Sequence, residues 1–130
     1  MTLIDSIYVN NGGAKILLEF LLQEIISRKL NGSCFVLLDK RCVLPKTLLN
    51  KFKHTHLSCF GITRYSFYKK NKYKFSKILC FGNVPPTIKC RNQLVFTYFH
   101  QPNYVDGLSF RLKNFHFVIK RAYIKIFDSK

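Results

Sequence analysis

The sequence predicts an α/β domain, a Rossmann-like three-layer α/β/α sandwich with about five parallel strands. Three observations carry this. Several short runs, among them 34–38 and 78–81, are apolar almost throughout rather than alternating, as expected of strands covered on both faces. Segments with helical spacing separate most of these runs. Three of the runs end in Gly, Asn or His, so the loops after Val9, Phe81 and Phe99 are expected to converge at one end of the sheet.

Strand one is expected over 6–10, followed by the exit loop Asn10-Asn11-Gly12-Gly13. A helix over 14–29 follows, because Leu17/Leu18, Leu21/Leu22 and Ile25/Ile26 recur every four residues and Asn31-Gly32 stops it. The pair Gly12-Gly13 has two readings, a phosphate approaching the helix N-terminus or a tight turn needing positive φ. The second strand, 34–38, closes at Asp39, which reads either as a site carboxylate or as a local partner of Lys40, Arg41 or a loop amide. Pro45 opens a short helix carrying Leu48, Leu49 and Phe52. His54 and His56 then fall in a polar loop, where two histidines without a third ligand read as solvated.

A third strand is expected over 57–62. The next stretch, 64–77, interleaves Arg64, Lys69, Lys70, Lys72, Lys74 and Lys77 with five aromatics. Wound as a helix, it puts Lys70, Lys74 and Lys77 on one face and Tyr65, Tyr68 and Phe75 opposite. That arrangement suits a helix with a solvated lysine face, a surface for anionic headgroups, or a single-stranded nucleic-acid contact. Strands over 78–81 and 94–99 flank Gly82-Asn83-Val84-Pro85-Pro86, a loop in which proline forbids regular structure. A last helix over 108–127 carries one apolar stripe and a second row, Phe110, Phe117 and Ile124, that asks for a partner and favours self-association.

With 130 residues and 48% apolar content, the chain reads as one domain spanning 1–130 with a continuous core. Its 22 Lys+Arg against 6 Asp+Glu give a formal charge of +16, which favours an anionic partner. The five cysteines form no CxxC pair or zinc-ligand spacing, and no metal cluster is evident. Their odd number, with no signal peptide and no long apolar run, points to a cytoplasmic protein. Cys34, Cys59 and Cys80 fall inside expected strands as small buried hydrophobes.

The string Leu79-Cys80-Phe81-Gly82-Asn83-Val84-Pro85-Pro86, followed by Tyr98-Phe99-His100-Gln101-Pro102, resembles the N-terminal lobe of bacterial GT-B glycosyltransferases that build surface polysaccharides. There a "cFGNxPP" segment precedes a "tYxHN" segment, and Gln101 stands where Asn is usual. The resemblance covers nearly all of the chain but only the family's first lobe. It implies that the domain receives a glycan or lipid-linked acceptor, while a second lobe, on another chain if the enzyme is split, grips the nucleotide-sugar donor. No other cofactor is implied. His100 would be catalytic, Gly12 and Gly13 would line the donor-phosphate side, and Asn83, Pro85, Pro86 and Gln101 the acceptor side. Lys70, Lys74 and Lys77, with the basic face of the last helix, would meet the inner face of an anionic membrane. Transfer by this chain alone is not expected. The alternatives are a basic nucleic-acid-binding module, disfavoured because no RNP, KH or helix-turn-helix signature is present, and an inactive truncated remnant.

Overall fold

The computed structural model describes residues 1–98. Five strands form one parallel sheet: β1 (Thr2–Ser6), β2 (Cys34–Asp39), β3 (Lys53–Leu57), β4 (Lys77–Cys80) and β5 (Leu94–Thr97). Their order is β3-β2-β1-β4-β5. Three helices connect them: α1 (Gly12–Ser27), α2 (Lys46–Leu49) and α3 (Gly61–Lys70). This is the expected Rossmann-like α/β domain. Because every pairing is parallel, all exit loops leave from one end of the sheet.

Two apolar cores give the layers. On one face Ile4, Val36, Leu38 and Leu79 pack with Leu18, Leu22 and Ile25 of α1 and with Leu48 and Leu49 of α2. On the other, Leu3, Leu37 and Ile78 pack with Tyr68 of α3 and with Phe75. Adjacent residues Leu3 and Ile4 are therefore both fully buried, one in each core. Cover on both faces is also why β2 and β4 read as nearly unbroken apolar runs.

Several boundaries differ from the expectation; α1 starts and ends two residues early, and α2 stops at Leu49, short of Phe52. β1 lies four residues earlier than 6–10, because its polar residues are buried with partners: Asp5 is held by side chains described below, and Ser6 Oγ donates to Leu37 O at 2.7 Å. The strand ends before Tyr8, whose φ of 81° leaves the extended region. β3 is Lys53–Leu57 rather than 57–62; at the end of the strand order it tolerates the polar pattern KHTHL. His54 and His56 thus stand on a strand, not in a loop, with rings 5.7 Å apart, and burial followed by the charge of His54 lowers the pKa of His56. Cys59 falls after β3, half-buried, rather than inside a strand.

Residues 64–77 are not one helix. α3 begins at Gly61 and stops at Lys70, where Asn71 Nδ2 donates to Phe67 O at 2.9 Å and a turn brings the chain into β4. Finally, the chain passes from β4 to β5 without a helix, and β5 is an edge of the described sheet: Leu94 is 49% exposed, so 94–97 is not covered on both faces. The expected last helix, with Phe110, Phe117 and Ile124, lies outside the described residues.

Candidate cleft loops at the carboxyl end of the sheet

Two loops meet at this end, one after β1 and one after β4. Residue 82 lies against the backbone carbonyl of Ile7, and a Cβ there would collide with it. Only glycine allows the fourth loop to approach the first so closely. Asn83 follows with φ of 64°, a left-handed conformation that Asn tolerates better than most residues.

A buried ionic cluster holds the contact in place. Arg64, on the first turn of α3, is 2% exposed. Its Nε and Nη2 donate to Asp5 Oδ2 at 2.9 and 2.8 Å. Nη1 donates to Pro85 O and Nη2 to Val84 O, both at 2.9 Å. The Tyr68 hydroxyl, one turn further along α3, donates to the same carboxylate oxygen. Asp5 Oδ1 accepts the Ile7 amide at 3.2 Å, which ties the first loop to the same carboxylate. Tyr8 lies 5.8 Å from the guanidinium carbon. Burial is the largest single influence and works against the Arg64 charge, but Asp5 together with smaller contributions from its neighbours outweighs it, and the Arg64 pKa is raised. Burial and then Asp5 push the Tyr68 phenol well up, and the same two causes push Cys80 up to about 12. Both therefore stay protonated at neutral pH.

Asp39 performs a similar task beside β2. Its buried carboxylate accepts Arg41 Nε at 3.0 Å, Arg41 Nη2 at 2.8 Å and the Arg41 amide at 2.9 Å. The Arg41 side chain is the first cause of a lowered Asp39 pKa; among the smaller ones is the backbone of Tyr8. Of the two readings of Asp39, local pairing is the one observed.

Gly12 and Gly13 are exposed at the start of α1, and Asn83, Pro85 and Pro86 lie on the fourth loop at the same end of the sheet. Gly12 has φ of 62°, so the turn reading accounts for a glycine there; Gly13 adds an open approach to the helix N-terminus. His100 and Gln101 lie outside the described residues. Lys70, Lys74 and Lys77 do not share a helix face: Lys70 ends α3, Lys74 lies in the turn and Lys77 begins β4. All three belong to the opposite, amino end of the sheet. A shallow groove of about 370 Å³, lined by Leu57, Ile62, Phe67 and Lys70 among others, runs along the flank of α3 and not between the two loops.

Sequence reading missed Asp5, Arg64 and Tyr68. The available signals were a single acid inside an apolar stretch, and an arginine and tyrosine four apart on a helix. Among the described residues no three His, Cys, Asp or Glu side chains gather as a metal site, and no helix is long and apolar enough to cross a membrane. Comparison with protein-family models, with curated proteins and with solved structures finds no match to this chain.

Proposed function

We propose that this domain is the acceptor-side N-terminal lobe of a GT-B glycosyltransferase of the surface-polysaccharide type, acting with a donor-binding lobe from a second polypeptide or a further segment. The observation that carries this reading is the loop 82–86. It is the same stretch that carries the family resemblance, and Arg64 fastens it to the first loop at the end of a parallel sheet where such folds take ligands. A loop fixed in this way presents its outer surface in one geometry. That matters because positioning two substrates in a shared cleft supplies much of the rate of group transfer.

In this reading Asn83, Pro85 and Pro86 contact the acceptor. The start of α1 at Gly12 and Gly13 faces the donor phosphates, where backbone N–H groups and the helix dipole favour negative charge. On the resemblance alone, His100 would take the acceptor hydroxyl proton and Gln101 would belong to the acceptor side. The donor lobe supplies the nucleotide-sugar grip. Arg64, Asp5 and Tyr68 position the loop and do not touch substrate.

The test is titration of the isolated chain with glycan and lipid-linked acceptor fragments, read by amide NMR shifts, followed by transfer assays with a panel of nucleotide-sugars. Shifts at Gly12, Gly13 and Asn83, with no turnover until a donor-lobe polypeptide is added, are expected. Turnover by the monomeric chain alone, or acceptor-induced shifts confined to other parts of the domain, would overturn the reading.

A further inference from the structure

The opposite end of the sheet carries a different kind of surface. Lys51 and Lys53 stand at the start of β3, Lys72 and Lys74 precede β4, and Lys89 and Arg91 precede β5; all six are exposed. None has a carboxylate partner among the described residues. The four described carboxylates are taken elsewhere, Asp5 by Arg64, Asp39 by Arg41, Glu19 by Lys15 and Glu24 by Arg28.

Part of this surface is built rather than incidental. The side chain of Gln93, 8% exposed, donates from Nε2 to Lys72 O at 2.9 Å and to Phe75 O at 2.8 Å. Its Oε1 accepts the Cys90 amide at 2.8 Å, and Cys90 Sγ donates to Lys72 O at 3.1 Å. These bonds stitch the turn before β4 to the turn before β5, so Lys72 and Lys74 sit beside Lys89 and Arg91 despite mutual repulsion. At the tip, Tyr73 is 87% exposed, with Lys72 Nζ 5.3 Å from its ring centre.

The shape of the charge selects the partner. The cations extend along the row of strand starts, about 19 Å for five strands at the usual spacing. They also reach across the sheet end, because the α1 exit carries a further exposed cation, Lys29. A single nucleic-acid strand is a line of charge, and proteins that hold one usually offer several stacking aromatics in a groove. Here Tyr73 is the one strongly exposed aromatic at this end among the described residues. A plane of anionic headgroups matches a broad basic face with one aromatic tip, with lysine stems lying along the interface.

We propose that the amino-end face of the sheet docks on an anionic lipid bilayer, with Tyr73 at headgroup depth. This inference does not rest on the glycosyltransferase reading. It does orient the molecule: the loops at the carboxyl end stand a strand length, about 17 Å, or more above the headgroups.

The sequence contains no tryptophan, so single reporters can be placed. In the full chain, Tyr73→Trp is expected to shift to the blue and be quenched by brominated lipid on phosphatidylcholine vesicles containing phosphatidylglycerol. Neither change is expected on phosphatidylcholine alone. Phe60→Trp, an exposed position at the other end of the sheet, stays solvent-like. The triple variant Lys72→Glu/Lys89→Glu/Arg91→Glu binds the anionic vesicles at least about tenfold more weakly with unchanged circular dichroism, whereas Lys40→Glu/Lys46→Glu binds as the parent does. Quenching of Trp at position 60 rather than 73, or full retention by the triple variant, would overturn the proposal. So would preference for a polyuridine homopolymer over the vesicles, which would assign the face to nucleic acid. If the triple variant does not fold, the two tryptophan reporters decide alone.

Discussion

Arg64 and Lys72 are eight residues apart in the chain, yet they stand at opposite ends of the sheet and handle their charge in opposite ways. Arg64 is removed from water, and its hydrogen bonds tie the end of β1 to the loop after β4. Lys72 is exposed, and its backbone carbonyl rather than its ammonium group organises the neighbouring turn. The contrast shows that a basic composition does not act as one property. Where a carboxylate lies within reach in a dry setting, the cation becomes a structural tie; where none does, it remains available to an outside anion. The four carboxylates of the described chain are all paired, two of them with the arginines of the carboxyl end.

The largest break in that comparison comes from the buried tie itself. Arg64→Ala leaves the buried Asp5 carboxyl group without its ion-pair partner, and breaking a buried pair in this way costs about 3–5 kcal/mol. Urea unfolding should show that loss, together with faster proteolysis within 82–86. The double variant Asp5→Leu/Arg64→Leu should recover much of the stability but not the loop protection, because the Val84 and Pro85 carbonyls still lack their donor. Recovery of both would mean that the loop holds itself.

Gly82→Ala tests the contact without touching charge. Its new methyl group meets the Ile7 carbonyl, so either loop must shift, at about 1–3 kcal/mol. The outcome to look for is a lower urea midpoint with amide shifts in both loops. A variant as stable as the parent, with its spectrum unchanged, would show that the two loops are not in contact.

A smaller effect belongs to Asp39. Its folded pKa lies below the unfolded value of about 3.9, so the stability it contributes is complete above that value. That contribution is lost as pH falls through the folded pKa. Arg41→Ala raises the folded pKa towards the unfolded one, and the acid-unfolding midpoint should move to higher pH. Arg41 is about half exposed, so solvent screening keeps the change in stability near pH 7 small. An acid midpoint that does not move would show that loop amides alone hold the carboxylate.

What the sequence determined by itself is the class of fold and most of its helices and buried strands. Val36-Leu37-Leu38 and Ile78-Leu79 announce a sheet packed on both faces, and the four-residue recurrence from Leu17 to Ile26 announces α1, whereas the central strand β1, with Asp5 and Ser6 in it, is expected four residues too late. Such patterns are local, because burial on two faces or along one helical stripe acts on neighbouring residues. The same patterns identified the loop 82–86 as special, since its Gly, Asn and prolines break any repeating structure. Only the tertiary structure decided what holds that loop. Asp5 and Arg64 are 59 positions apart and pair because parallel order puts β1 beside β4 and places α3 over their junction. It likewise decided that KHTHL is a strand, because the preceding strand supplies the hydrogen-bond partners its polar side chains do not suggest. And it decided which cations are spent and which are free: pairing depends on distance through space and on exclusion of water, and neither quantity is written in the order of the residues.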